Sequence, residues 1–256
     1  MDDFFQENGY QFCPQFYSDQ AIVGVKPTID AYHKAWLEKN RSFYEKKAVN
    51  SAYLTKPGIL YDAQRLQLFQ LIGHLAEQKI VQELLNENVC FMNTQLFFNP
   101  YKTDQKNYWH RDVQYTGLNE AQQRAVLVDK QILHFRIALA DEPGIELIPG
   151  THTRWDTPLE TSVRLTQDGC EVFDDLPDTV IVPMKRRDML VFSANMIHRG
   201  LYGMDRLALD ILFFNPAADL QDSVQLDNLP DHFMMQQIEF SRVFSNSVKF
   251  HKAYKQ

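Results

Sequence analysis

Val89-Cys90-Phe91-Met92-Asn93-Thr94-Gln95-Leu96-Phe97-Phe98, closed by Asn99-Pro100, is where the periodicity of this chain changes. Before it, apolar residues recur at the three- and four-residue spacing of amphipathic helices. From it onward they come in short runs rich in aromatic and β-branched residues, each bounded by Pro, Gly, Asp or Asn. Residues 131–140 form the next run and end at Asp141-Glu142-Pro143-Gly144. Further runs follow at 145–148, 179–183, 189–192 and 207–214, separated by charged and Pro/Gly turns. Many short strands without intervening helices predict a barrel or two-sheet jelly roll, not alternating βαβ units.

Working outward, residues 1–16 alternate aromatic and polar before Pro14 and read as a short strand and turn. Ser18-Asp19-Gln20 offers a helix N-cap. From Pro27, suited to a first helical turn, to about Lys47, the residues Ile29, Tyr32, Trp36, Leu37 and Phe43 keep helical spacing. Residues 62–88 carry a stronger stripe through Leu66, Phe69, Ile72, Leu75, Ile80, Leu84 and Leu85. Helical spacing returns at 231–251 through Phe233, Ile238, Phe240, Val243 and Phe244. No internal repeat or linker divides the chain, so residues 1–256 read as one domain. It has a helical part at about 18–88, a β-core at about 89–216 and a C-terminal helical segment at about 231–251.

Composition narrows the class. With 45% hydrophobic and 23% charged residues the chain is in the ordinary globular range and has enough apolar side chains for a substantial core. A net charge of −7 argues against nucleic acid or an anionic membrane as partner, because both select a basic face. A small-molecule ligand is the expectation. Cys13, Cys90 and Cys170 are too few and too scattered for a disulfide framework, so they read as reduced thiols of a cytoplasmic protein. The acidic start lacks the layout of a signal peptide, and no apolar run approaches the roughly 18 residues of a membrane span. Oligomeric state has no signature here.

The chemistry concentrates in Tyr108-Trp109-His110-Arg111-Asp112. On an extended backbone, side chains two positions apart share a side, so His110 and Asp112 are expected to grip one ion together. His198, in Phe192-Ser193-Ala194-Asn195-Met196-Ile197-His198-Arg199-Gly200, supplies a third ligand if the fold returns there. Two histidines and one carboxylate on one face of an octahedron, with the other positions open, are what a non-haem Fe(II) oxygenase requires. Two further markers stand in order: Glu146-Leu147-Ile148-Pro149-Gly150-Thr151-His152, a strand stopped by a turn, and Arg187-Asp188-Met189-Leu190-Val191-Phe192, a charged turn entering an apolar strand.

This succession, with the opening Phe5…Gly9-Tyr10…Pro14-Gln15-Phe16-Tyr17-Ser18, resembles the phytanoyl-CoA dioxygenase family of Fe(II)- and 2-oxoglutarate-dependent oxygenases, over about residues 4–216. The resemblance implies a double-stranded β-helix, jelly-roll or cupin-like, with flanking N- and C-terminal helices and the metal at the barrel mouth. By motif position it implies His110, Asp112 and His198 as iron ligands and Arg206 as the partner of the distal carboxylate of 2-oxoglutarate. It also implies Gln95 as a polar contact to that co-substrate. The implied reaction consumes dioxygen, converts the oxoacid to succinate and carbon dioxide, and hydroxylates a small molecule. Asp112 stands where related halogenating enzymes have a small residue, which favours hydroxylation. The sequence departs from the family in having Asp141-Glu142-Pro143-Gly144-Ile145-Glu146 in place of an Asn-Gly pair, and in a shorter gap from His198 to Arg206.

Other readings remain open at this stage. An enzyme of the same constellation that uses no oxoacid, or a ligand-binding β-barrel without catalysis, carries the same side chains. A kinase does not fit, because His-Arg-Asp would need Asn at position 117, which is Gly. His134 reads as a packed or hydrogen-bonded histidine, and His152 as either a cleft residue or a loop residue. Lys185-Arg186-Arg187 reads as a solvated turn, while Trp109, Tyr115, Trp155 and Tyr202 border the motifs as pocket or core.

Overall fold

The computed structural model describes residues 3–129 and 131–253. Its strands are β1 (Tyr10–Cys13), β2 (Asn50–Ala52), β3 (Cys90–Phe98), β4 (Ile132–Ala138), β5 (Glu142–Leu147), β6 (Val180–Met184), β7 (Met189–Ser193), β8 (His198–Gly200) and β9 (Leu207–Phe214). Its helices are α1 (Asp3–Asn8), α2 (Asp19–Lys39), α3 (Arg41–Lys46), α4 (Asp62–Ala76), α5 (Lys79–Leu85), α6 (Glu120–Asp129), α7 (Pro158–Arg164), α8 (His232–Met235) and α9 (Arg242–Ala253). Two antiparallel sheets result, one in the order β1-β7-β4-β9-β3-β2 and one in the order β6-β5-β8. This is the jelly-roll, double-stranded β-helix architecture that the strand pattern predicts.

Alternation along the central strands divides the large sheet into an apolar face and a polar face. On β4, Leu133, Phe135 and Ile137 join Leu209, Ile211 and Phe213 of β9 in a core shared with Ile29 and Tyr32 of α2, Phe69 and Ile72 of α4, and Phe244 of α9. The intervening His134 and Arg136 of β4 and Asp210 of β9 face the space between the sheets. Cross-strand register sets Gln95 opposite Asp210 and Asp210 opposite Arg136, so three polar side chains make one row across β3, β9 and β4. Further along, the space closes over a small apolar cluster of Ala138, Ile145, Leu147, Leu190 and Phe192. On β5 a bulge between Glu142 and Ile145 depends on Gly144, whose φ is +90°; a Cβ there would meet the Val182 carbonyl oxygen at 1.8 Å.

Several local expectations are corrected. The first residues form α1, not a strand, with Asn8 Nδ2 donating to the Phe4 carbonyl and Gly9 at φ +81° ending the turn; the strand is confined to Tyr10–Cys13. Ser18 does cap α2, accepting from Ala21 N, but the helix runs through Pro27 instead of starting there. The cost is one helical hydrogen bond, to the carbonyl of Val23, a residue on the exposed side of the helix. The β-core also contains α6 and α7, and its large sheet takes its two edge strands, β1 and β2, from the N-terminal part of the chain. Among the described residues no helix is long and apolar enough to cross a membrane.

Candidate metal centre

His110 and His198 face each other across an isolated antiparallel bridge, each donating its backbone N–H to the other's carbonyl at 3.0 Å. The return of the chain to this point is set by the Ile148-Pro149-Gly150-Thr151 turn. Buried Thr151 donates its hydroxyl to the Ile148 carbonyl at 2.6 Å and accepts from Ile197 N at 3.0 Å, which fixes the residue immediately before His198. Arg111, between the two candidate ligands, points the other way and is fully buried. Its guanidinium donates to Asp156 Oδ1 at 2.7 Å and to the carbonyls of Thr151, Arg154 and Asn195. The extended backbone expected through residue 112 ends at Arg111 (φ −116°, ψ 144°), and Asp112 opens a short 3₁₀ turn, Asp112–Tyr115.

His110, Asp112 and His198 nevertheless converge, with one ligand atom from each lying within 4.8 Å of the others. Asp112 Oδ1 is 3.7 Å from Nε2 of both His110 and His198. His110 Nδ1 lies 3.3 Å from the Tyr108 carbonyl and His198 Nδ1 lies 3.0 Å from the Met196 carbonyl. A carbonyl only accepts, so both Nδ1 atoms carry the proton and both Nε2 lone pairs turn toward Asp112 Oδ1. Burial, with the neighbouring histidine adding to it, lowers the His198 pKa to about 3, and burial likewise holds that of His110 below its ordinary value. Burial alone would raise the Asp112 pKa, but His134, His198 and His110 hold it far below the usual carboxylate range. Two neutral imidazoles and one ionised carboxylate are the donor set that a divalent transition ion takes, and these residues fit Fe(II).

A second set of side chains, not assigned to the site from sequence, continues from Asp112. Its Oδ2 accepts from His134 Nε2 at 2.7 Å, and His134 Nδ1 meets Asp210 Oδ2 at 3.1 Å. Asp210 Oδ1 accepts from Arg136 at 2.9 Å, and Arg136 forks onto both oxygens of Glu142 at 2.9 and 3.0 Å. Burial works against protonation of His134, but the charges of Asp112 and Asp210 and the hydrogen bonds to them raise its pKa to about 9. His134 is thus a hydrogen-bonded histidine, and the sequence signal for the β4 members of the set was the polar alternation His134-x-Arg136 on an otherwise apolar strand.

The cavity between the sheets has a volume of about 900 Å³ and is lined by all three candidate ligands together with Gln95 and Arg206. Arg206 is buried, donates to the Phe98 carbonyl at 2.7 Å, and lies over the rings of Phe97 and Tyr202. Its Nε is buried without a hydrogen bond, the nearest carboxylate oxygen being that of Glu142 at 3.9 Å. Burial, with Arg136 nearby, lowers its pKa to about 10, so it stays a cation at neutral pH. A buried guanidinium with an unfilled donor beside the cavity fits a carboxylate such as the distal group of 2-oxoglutarate.

Tyr115 and Tyr202 line the cavity, whereas Trp109 is core, its indole donating to the Asp174 carbonyl. Trp155 packs by Arg124, and His152 packs beside Phe5 and Gly9, outside the cavity lining. Arg186 and Arg187 are anchored on Asp19 at the start of α2, so the turn expected to be solvated is tied down.

Solved structures share this fold. SnoK, described as a non-haem α-ketoglutarate-dependent carbocyclase from nogalamycin biosynthesis, is 18% identical with a TM-score of 0.55, over 84% of this chain and 82% of its own. HygX from Streptomyces hygroscopicus, solved with nickel and 2-oxoglutarate bound, is 14% identical with a TM-score of 0.56, over 84% and 87%. The ThoJ–nickel complex, a non-haem monooxygenase, is 16% identical with a TM-score of 0.55, over 84% and 76%. At these identities the likeness is one of fold. No curated protein sequence matches the chain. The phytanoyl-CoA dioxygenase (PhyH) family model matches residues 5–201, and on that match the chain belongs to the phytanoyl-CoA dioxygenase family, whose members use Fe(II), 2-oxoglutarate and dioxygen.

Proposed function

We propose that the protein hydroxylates a small molecule held in the inter-sheet cavity, with Fe(II) on His110, Asp112 and His198 and 2-oxoglutarate anchored by Arg206 with Gln95 alongside. The observation that carries this is the convergence of one Asp112 oxygen and two imidazole Nε2 atoms whose Nδ1 partners are backbone carbonyls. When bound, iron would activate dioxygen with the oxoacid as co-reductant: one oxygen atom ends in succinate as carbon dioxide leaves, and the other ends in the hydroxyl that replaces a substrate hydrogen. The chain's own contribution is placement: Arg206 fixes one end of the oxoacid, and the Thr151 and Arg111 contacts keep the ligand segments together. The ligand pair His110–Asp112 is intact, which supports hydroxylation over halogenation.

The cavity also bears on the substrate. Among the described lining residues the cations are Arg136, Arg206 and His134, the first committed to Glu142 and Asp210, the second assigned here to the oxoacid and the third committed to Asp112 and Asp210. The rest of the lining includes Asn50, Tyr53, Met92, Leu118, Gln122 and Leu220. An uncharged molecule with both apolar and hydrogen-bonding parts suits it better than a phosphate-bearing thioester. The test is anaerobic titration with Fe(II) and 2-oxoglutarate, followed by oxygen uptake with succinate analysis. The expected outcome is a weak visible charge-transfer band that needs both additions, and succinate formed with oxygen consumed. Iron binding without any response to the oxoacid would point to an oxoacid-independent enzyme, and no metal uptake would leave a ligand-binding barrel.

A further inference from the structure

We infer that His134 is a positioning residue that holds Asp112 to a single-oxygen ligand geometry, an inference that rests on the metal site proposed above. The carboxylate of Asp112 has two oxygens of unequal surroundings. Oδ1 faces Nε2 of both His110 and His198 at 3.7 Å, while Oδ2 is held by His134 Nε2 at 2.7 Å. A carboxylate on a short turn rotates readily about its terminal bond and would otherwise present both oxygens to a metal, filling a position that oxoacid and oxygen need. The hydrogen bond from His134 removes that freedom.

The imidazole is itself unable to turn. Its ring stacks on Phe192 with centroids 4.6 Å apart and planes 12° from parallel. Its other nitrogen is tied to Asp210 Oδ2 at 3.1 Å, and Asp210 is tied to Arg136, which is clamped by Glu142. Both ring nitrogens therefore face carboxylate oxygens, which only accept, and the ring donates to both. All four supporting groups are buried, so water does not compete for these bonds. The anchor is built into β4 and β9, rigid central strands, while Asp112 sits on a 3₁₀ turn after the last extended residue. A loop-borne ligand is thus located by strand-borne side chains.

The experiment uses the full chain and Co(II), whose visible absorption reports coordination, with affinity measured by titration. His134→Phe keeps a ring to stack on Phe192 but has no donor. It is expected to bind Co(II) about 10- to 100-fold more weakly than the wild type, with an altered visible spectrum. His134→Gln keeps a donor for Asp112 and is expected to restore most of the affinity and the wild-type spectrum. A purely structural role would lower the thermal midpoint of both variants while leaving the spectrum of the bound ion unchanged, and that result overturns the inference. If His134→Phe does not fold, the wild type still decides the matter. In its Zn(II) complex the His134 ring N–H facing Asp112 is expected as a slowly exchanging downfield proton resonance that shifts on metal addition; no shift overturns the inference. Uptake of no Co(II) by the wild type overturns the metal site itself and this inference with it. Normal uptake, equalled in affinity and spectrum by His134→Phe, overturns the inference alone.

Discussion

Arg206, proposed above to anchor the oxoacid, is held in place with one donor unfilled. Its Nη1 is tied to the Phe98 carbonyl, its plane is braced by Phe97 and Tyr202, and its Nε is left without a hydrogen bond. Gly200 makes the room: a Cβ at that position would lie 2.5 Å from Arg206 Nη2. Arg206→Ala is expected to raise the 2-oxoglutarate concentration needed for the charge-transfer band by about two orders of magnitude, since the oxoacid would lose its partner for a buried charge. Iron affinity, titrated separately, is expected to stay near the wild-type value, and unaltered oxoacid affinity would reject the assignment. Gly200→Ala is expected to shift the oxoacid requirement in the same direction by less, by displacing the end of a flexible side chain. Because Gly200 has an ordinary backbone conformation, the thermal midpoint of that variant should move little.

At the scale of elements, Arg111 ties together three segments that sequence distance keeps far apart: the ligand segment 110–112, the loop 151–156 and the turn at Asn195. Arg111→Met would strip donors from two buried carbonyls and a part-buried one and leave Asp156 to Arg164 alone, which already holds its Oδ2 at 2.6 and 2.8 Å. The expected loss is about 3 kcal/mol or more in denaturant unfolding, and Arg111→Lys should not rescue it, because one ammonium cannot span four acceptors. A loss below about 1 kcal/mol, the scale of an ordinary exposed pair, would show that the pin is dispensable. The strands on either side of this pin were legible in the sequence because dense aromatic and β-branched runs ending at Pro, Gly or Asp leave few alternatives. The three candidate ligands were legible for a different reason, the two-residue spacing of His110 and Asp112 followed by an ordered set of markers. Helices α6 and α7 were missed although both carry cap signatures: Asn119 accepts from Gln122 N while Gln122 Oε1 accepts from Asn119 N, and Thr157 with Glu160 forms a capping box before Pro158. The polar set behind Asp112 was missed because Asp210 comes beside Arg136 through strand register and Glu142 reaches Arg136 from the other sheet, neither of which a single sequence prints.

For the molecule as a whole, a helical layer seals one face of the large sheet and lets the other face carry buried histidines, and this dictates how stability depends on pH. His33, His110, His152 and His198 all have folded-state pKa values below the ordinary one, burial being the largest cause in each. Their contribution to stability is fully present above about pH 6.5, their pKa once unfolded, and is lost as pH falls, because the unfolded chain then takes up protons that the folded one resists. His134 acts in the opposite sense: with a folded pKa of about 9, its contribution is fully present below about 6.5 and is lost as pH rises through 9. Four groups pulling one way below neutrality outweigh one pulling the other way above it. The metal-free protein is therefore expected to have its highest thermal midpoint near neutral pH. The fall toward pH 5 should be steeper than the fall toward pH 9. Saturating metal should raise the midpoint at pH 7 and steepen the acid limb further, since protons then compete with the ion for His110 and His198. Thermal unfolding across pH 5–9, with and without Co(II), measures all three quantities. A midpoint that rises from pH 7 to pH 5 in the metal-free protein would mean that these four histidines are protonated in the folded state, and that the two Nε2 atoms are not free to take an ion.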